Sequence, residues 1–399
     1  MQELLTSTRL DPYLALFLGS LSLVAVVWSI LWLYFLPGGR GLWSWGPRGW
    51  RIPMVLAGIL PVALAVLGFL PIGQTVQRGL SFAGAGLGLF GGLSLGFSAW
   101  RRRQSFKNFV PPLGPRLLNL QKGLRVQGEW RLMLTSDPHF DSPTSDTGTS
   151  LALLRRATKI PVQALVILGD FVERGIAGWG LTLKILREGL GTQVPLVPIL
   201  GNHDALFGGH KLFLKAFPQQ QTSSGSPWYY TWDVVSAEAV SVRFFVLHLL
   251  WGTETFDQAQ HQWLERSLAE TPPGWMKVAL SHCFFASSGW TDGQRRPWFD
   301  HPETLAEVAP LLEAGGVSLV VSGHQHHLEY LSYRGLRYAV VGAGGAVARP
   351  VTHESPASLW RATRNKGSLV LVGTPQGLEL IFEDEWGKEL HRVQLSPKT

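Results

Sequence analysis

The feature that most restricts this 399-residue chain is a set of five short apolar runs, each ending at residues able to bind a metal ion. Residues 131–135 lead into Ser136-Asp137-Pro138-His139, and 164–168 into Gly169-Asp170-Phe171-Val172-Glu173-Arg174. Residues 194–200 lead into Gly201-Asn202-His203-Asp204, 278–281 into His282, and 319–322 into Gly323-His324-Gln325-His326. Short apolar runs bounded by Gly, Asp and Asn read as buried strands. Strands are predicted at 131–135, 164–168, 196–200, 242–247, 277–280 and 318–321, with helices between them at 150–157, 181–190, 257–269 and 302–314. Beyond 328 the pattern is strand after strand, at 329–333, 336–341, 368–374, 377–382 and 389–394. Strands alternating with helices and then closed by further strands predict an α/β fold.

Ligands of α/β sheets sit outside the carboxyl ends of the strands. Asp137, His139, Asp170, Asn202, His282, His324 and His326 are therefore expected at one edge. Carboxylate, imidazole and amide oxygen together suit divalent Mn, Fe or Zn, and no cysteine joins the set, which argues against a structural zinc site. Seven candidates exceed what one ion uses. Two ions ~3.5–4 Å apart and sharing a carboxylate would use all of them. Asp170, central in the order, is the candidate bridge. A glycine before Asp170, Asn202 and His324 lets the backbone turn sharply there.

Three charge-free apolar stretches precede this region, at residues 13–36, 52–71 and 79–100. About 20 helical residues cross ~30 Å of hydrocarbon, so each is expected to span a membrane. A cleaved signal peptide fits the first poorly, because its apolar region is too long, its leader Met-Gln-Glu-Leu lacks the usual positive charge and no small-x-small site follows. Gly84, Gly88, Gly92 and Gly96 form a smooth helix stripe suited to close packing against another helix of this chain or of a second copy, a route to a homo-oligomer. Flanking Arg and Lys favour the side holding 38–51 and 101–107, so a catalytic domain on the cytoplasmic side is expected. The implied division is a membrane domain at 1–110, a linker at 111–130 and a catalytic domain at 131–399.

The net charge of +7 invites a nucleic-acid reading, but residues 1–110 hold nine of the bases and only two acids, so the excess lies there. The remainder is neutral in total, which speaks against a basic nucleic-acid groove. The single cysteine, Cys283, excludes an intrachain disulfide.

The ordered set Asp137-x-His139, Gly169-Asp170-x-x-Glu173-Arg174, Gly201-Asn202-His203-Asp204, His282 and Gly323-His324-x-His326 resembles the calcineurin-like metallophosphoesterase superfamily over about 131–346. The resemblance implies a two-sheet β-sandwich flanked by helices. It implies one metal on Asp137, His139, Asp170 and His326, and a second on Asp170, Asn202, His282 and His324. It implies that His203 faces the substrate, protonating the leaving oxygen or stabilising charge on phosphorus, with Asp204 orienting it. Asp257, Trp263-Leu264 and the run 281–289 are similar to purple acid phosphatases. Those enzymes carry a tyrosinate iron ligand where this chain has Glu173, so no tyrosinate-to-iron colour is expected. Cys283 stands where a histidine is often found.

The expected function is hydrolysis of a phosphate monoester or diester, tethered at the membrane, by a hydroxide generated between two metals. The substrate would be a phosphorylated small molecule or a lipid, with membrane lipid as a second partner. The alternative is a metal-binding membrane scaffold or sensor with little or no turnover.

Overall fold

The computed structural model describes residues 109–218, 222–289, 302–348 and 350–397. Fourteen strands among them form two sheets. One sheet has six strands in the order β14-β13-β12-β2-β3-β4. These are β2 (Trp130–Thr135), β3 (Ala164–Ile167), β4 (Leu196–Pro198), β12 (Gly367–Thr374), β13 (Gly377–Asp384) and β14 (Glu389–Leu395). The other has eight, ordered β1-β5-β6-β7-β8-β10-β9-β11. These are β1 (Leu124–Val126), β5 (Tyr230–Ser236), β6 (Val242–Leu247), β7 (Met276–Ser281), β8 (Leu319–Ser322), β9 (Leu328–Tyr333), β10 (Leu336–Val341) and β11 (Ser358–Ala362).

The inner faces of the two sheets make the core. Strand side chains alternate between faces. Leu132, Leu134, Val166, Leu369 and Leu371 from one sheet meet Phe244, Val246, Val278, Leu280 and Val321 from the other, all fully buried. Each such side chain contributes about 1.5–3 kcal/mol by leaving water. Trp130, also fully buried, donates its indole N–H to the Val240 carbonyl at 2.8 Å, a polar tie between the sheets.

Helices cover the outer faces. α1 (Thr147–Lys159) links β2 to β3, and α2 (Trp179–Leu190) links β3 to β4. Parallel neighbours require such crossovers. Asp146 starts α1 by accepting the Thr149 N–H at 3.0 Å, and Asp257 starts α5 (Gln258–Ala269) by accepting that of Gln260 at 2.8 Å. Both are N-caps satisfying a donor the helix cannot. Between them in sequence lie α3 (Asn202–Ala205) and α4 (His210–Ala216), and a π-helical turn at Thr304–Val308 runs into α6 (Ala309–Ala314).

Parallel register brings the functional strand ends level. Thr135 pairs with Ile167 and Ile167 with Pro198, while Ser281 pairs with Ser322. Pairing continues past the sheets: Asp137 N–H donates to the Gly169 carbonyl at 3.1 Å, and Gly323 N–H to that of His282 at 3.0 Å.

The membrane part of the sequence-based expectation is corrected. The stretches 13–36, 52–71 and 79–100, with the Gly84/Gly88/Gly92/Gly96 face, lie outside the described residues. Among the described residues no helix is long and apolar enough to cross a membrane. α1 has 13 residues, about 20 Å at 1.5 Å each, against the ~30 Å a span needs. Absence of charge is a property of sequence and does not by itself establish a membrane-spanning helix. The fold of the described residues is the two-sheet α/β sandwich, and the multi-pass membrane fold and cytoplasm-facing membrane location are withdrawn.

Candidate metal centre

All seven predicted ligands and His203 meet at the carboxyl ends of β2, β3, β4, β7 and β8, drawn from both sheets. Two trios present one ligand atom each within 4.8 Å of one another. The first is Asp137, His139 and His326; the second is Asp170, His282 and His324. Asp170 lies between them. Its Oδ2 is 3.4 Å from His139 Nε2, and its Oδ1 is 3.5 Å from His282 Nε2. Asn202 adds an amide oxygen 2.6 Å from His282 Nε2 and 2.8 Å from His324 Nδ1. Glu173, His139 and His203 make a third metal-capable group.

Local backbone geometry aims these side chains. Asp137, His139, Asp170 and His324 have φ of 60°, 42°, 56° and 68°. Such left-handed conformations strain non-glycine residues by roughly 1–3 kcal/mol each, and Asp, Asn and His tolerate them best. Gly169, at φ 109°, packs against Gly201, and a Cβ there would sit 2.6 Å from Gly201 Cα and from His282 Nδ1. Two bonds lock the sheets together at the rim: His324 N–H donates to Asp137 Oδ2 at 2.8 Å, and His282 Nδ1 donates to the Leu168 carbonyl at 2.7 Å. The second bond leaves His282 Nε2 as the atom facing the cluster. A carbonyl that fixes a ring tautomer is a common support for a ligating histidine.

The donor set fits divalent cations. Asp137 Oδ1, His139 Nε2 and Asn202 Nδ2 are buried without a hydrogen-bond partner, each a cost of about 1–3 kcal/mol. A cation between the trios would engage the oxygen and the ring nitrogen. Charge points the same way. Burial alone would raise the Asp170 and Asp137 carboxyls, but the surrounding histidines, His282 among them, hold Asp137 below and Asp170 well below the usual carboxylate range. Both are therefore anions ready for a metal. Burial opposes charge on His139 and His282, yet Asp170 and Asp137, joined by Glu173 at His139 and the Leu168 carbonyl at His282, together outweigh it and push them up to about 10 and about 9.

His203 is set apart from the trios. Its N–H donates to Asp170 Oδ1 at 2.8 Å, its Nδ1 donates to the Glu173 carbonyl at 2.7 Å, and its Nε2 lies 3.9 Å from Asp170 Oδ2. Burial pushes its pKa down to about 4, against the pull of Asp170. Asp204 accepts the Gly201 and Val172 N–H groups at 3.0 and 3.1 Å, so these bonds hold the loop that carries His203. Burial, and then the charge of Asp170, raise Asp204 to about 7.

Sequence reasoning did not assign a site role to Glu173 or Asp141. Glu173 Oε2 lies 3.0 Å from His139 Nδ1, an ion-pair contact outside hydrogen-bond geometry. Its own N–H donates to Asp141 Oδ1 at 2.6 Å. The Gly-Asp-x-x-Glu spacing was the available signal, because it puts a carboxylate three residues beyond Asp170. Trp251 also joins the rim, edge-on to His324 with ring centroids 5.2 Å apart.

Strand-end carboxylates and imidazoles gathered around Asp170 define a candidate metal centre on a two-sheet α/β fold. Residues 131–328 match the family model for calcineurin-like phosphoesterases, and the chain belongs to that family of metal-dependent phosphoesterases, whose members use two divalent metals. Tartrate-resistant acid phosphatase type 5 of mouse is 24% identical over 222 residues, covering 51% of this chain and 67% of the relative. The human protein of the same name is 26% identical over 174 residues, covering 41% of this chain and 53% of the relative. Among solved structures, a purple acid phosphatase from yellow lupin (Lupinus luteus) seeds aligns with a TM-score of 0.56 at 16% identity, covering 68% of this chain and 54% of that one. That likeness is one of fold. The chain thus spans between about half and two thirds of the length of these proteins.

Proposed function

We propose that the protein hydrolyses phosphate esters at a centre holding two divalent metal ions, Mn, Fe or Zn. The observation that carries this reading is the position of Asp170: one carboxylate with one oxygen 3.4 Å from His139 of the first trio and the other 3.5 Å from His282 in its own trio. In this reading Asp137, His139, Asp170 and His326 hold one ion, and Asp170, Asn202, His282 and His324 hold the other. When bound, the ions supply charge to the phosphoryl oxygens and lower the pKa of water toward neutrality. The protein's own residues do the rest. His203 presents Nε2 beside the Asp170 carboxylate, where the doubly protonated ring can give a proton to the leaving oxygen. The Glu173 carbonyl keeps the other ring nitrogen protonated and so fixes which nitrogen faces the substrate. Asp204 holds the Gly201 and Val172 backbone that frames His203. The substrates are phosphorylated small molecules, monoester or diester.

The test is metal analysis of the purified protein, with rates on 4-nitrophenyl phosphate and bis-4-nitrophenyl phosphate. Two equivalents of metal and turnover that chelation removes are expected. Full metal loading without turnover on either ester would favour the metal-binding scaffold instead.

A further inference from the structure

Glu329 is fully buried and takes no part in the chemistry above. It sits on β9, opposite Val340 of β10 and Arg361 of β11, so the sheet fixes its backbone on both sides. Four donor atoms surround its carboxylate, and the one proton of the Ser287 hydroxyl is also within reach of the Ser288 carbonyl, at 2.8 Å. Ser287 Oγ and Ser288 N approach Oε2 at 2.9 and 2.8 Å, Ser288 Oγ approaches Oε1 at 2.6 Å, and His327 Nε2 approaches Oε2 at 3.0 Å. Three of these atoms face Oε2 and one faces Oε1. Burial alone would raise the group, but His327 and Ser288 bonding hold it below its ordinary value, so it is an anion.

These donors come from the two loops that carry the histidines of the second trio. Ser287 and Ser288 follow His282. His327 follows His324 and His326. The Gln325 side chain closes the circuit by donating to the Ser288 carbonyl at 3.1 Å, and Ser355 N–H donates to Ser288 Oγ at 2.9 Å.

The turn so held is strained. Gln325 N–H donates to the Gly323 carbonyl at 2.8 Å across His324, whose φ is 68°, and His327 N–H donates to the Gln325 carbonyl at 2.7 Å across His326. A three-residue turn with positive φ at its centre is rare and strained. Such a turn persists only where its surroundings impose it. A buried carboxylate is itself costly, by several kcal/mol before its partners are counted. Packing alone would be served as well by an apolar residue at this strand position.

We infer that Glu329, with Ser288 and Gln325, is a positioning brace that holds the strained His324–His326 turn and the His282 loop in their metal-binding arrangement. The inference rests on the dinuclear centre proposed above. Its consequence is that loss of the brace weakens metal binding more than it weakens the fold.

The experiment uses the whole protein and Mn2+ alone. Glu329→Gln keeps the shape but sets an amide N–H2 against donors; Ser288→Ala removes the hydroxyl bond and little volume. Binding is measured by equilibrium dialysis, and melting is followed with and without Mn2+. Removing a group that supports a ligand typically weakens metal binding 10–100-fold. Glu329→Gln is expected to do so with an unchanged far-UV spectrum, and the rise in melting temperature on adding Mn2+ should shrink with it. Ser288→Ala should act in the same direction, by roughly tenfold. If both variants melt lower but bind Mn2+ as wild type does, Glu329 serves only the fold and the inference is overturned. If Glu329→Gln is insoluble, Ser288→Ala decides, and wild-type affinity there overturns the brace. Wild-type protein that takes up no metal would overturn the proposed function, and the brace with it.

Discussion

Replacing His203 by Ala separates proton donation from charge stabilisation, because the two roles respond differently to the leaving group. Nδ1 donates to the Glu173 carbonyl at 2.7 Å, so the proton a leaving oxygen receives must come from Nε2, on the side of Asp170. Such donation is worth about 10²–10⁴ in rate where the leaving group needs it. An alkyl or phenyl phosphate departs as a basic oxyanion and needs the full effect. A 4-nitrophenyl ester departs as a stable phenolate and needs little. His203→Ala should therefore slow phenyl phosphate by about 10³ and 4-nitrophenyl phosphate by about tenfold or less. The pH profile carries the same signature. Burial pushes the doubly protonated ring down to a pKa of about 4, so above that value the donating form falls about tenfold per pH unit. Wild-type turnover of poor leaving groups should decline as pH rises, with the midpoint displaced upward by the bound phosphate charge. His203→Ala should lose that limb. The assay is initial rates on a series of phenyl phosphates, with metal content checked in the same samples. An equal loss on every ester would refute donation and leave His203 stabilising the phosphoryl oxygens; no loss would remove it from the chemistry.

Three further outcomes follow from the same geometry. Asp170 holds protons on His139 and His282, so near neutral pH each arriving metal must displace one. Because both pKa values are raised, that protonation stabilises the ion-free fold below about pH 6.5 and is lost as pH rises through about 9 to 10. Loading both ions should release about two protons and weaken about 100-fold per unit of acidification, read by Zn2+ calorimetry in buffers of different ionisation enthalpy; pH-independent binding would contradict it. Asp170→Asn should abolish turnover and empty both positions together, and a variant keeping one full equivalent of metal would show that the carboxylate is not shared. Trp130→Ala, fully buried at the end of β2 away from Asp137, should cost about 3–5 kcal/mol by melting while the folded fraction keeps its kcat/KM.

The strand ends were legible because each is an apolar run stopped by a residue that strands avoid. β6 and β10 fall where the runs predict, at Val242–Leu247 and Leu336–Val341. The strands missed have weaker signals. β1 has only three residues, β11 has no buried residue, and β5 alternates Tyr230, Trp232 and Val234 with polar or half-buried neighbours in an aromatic-rich region. α4 was missed for its length, seven residues. Periodicity also could not say that β2–β4 and β6–β8 belong to different sheets, because apolar runs look the same in either; the resemblance implied two sheets, and the strand order shows which strand joins which. The metal donors were readable from residue type and order. The contacts of Glu173, Asp141 and Glu329 were not, because each depends on a side chain meeting a backbone group or a ring more than 30 residues away.

Strain marks the site independently of residue chemistry. Among the described residues, five non-glycine positions have positive φ, and four of them are Asp137, His139, Asp170 and His324. The fifth, Arg334, lies in the tight turn between β9 and β10, where such a conformation is ordinary. A fold gains nothing by placing roughly 1–3 kcal/mol of strain at each of four neighbouring residues. What the conformations achieve is direction. They turn side chains off the ends of strands from two sheets toward one point, which no regular backbone does. The same geometry leaves buried polar atoms without partners, a second cost at the same place. Both costs fall where one class of ligand, a divalent cation, would offset them, so the ion-free protein should be markedly less stable than the loaded one, and the centre is built before its metals arrive.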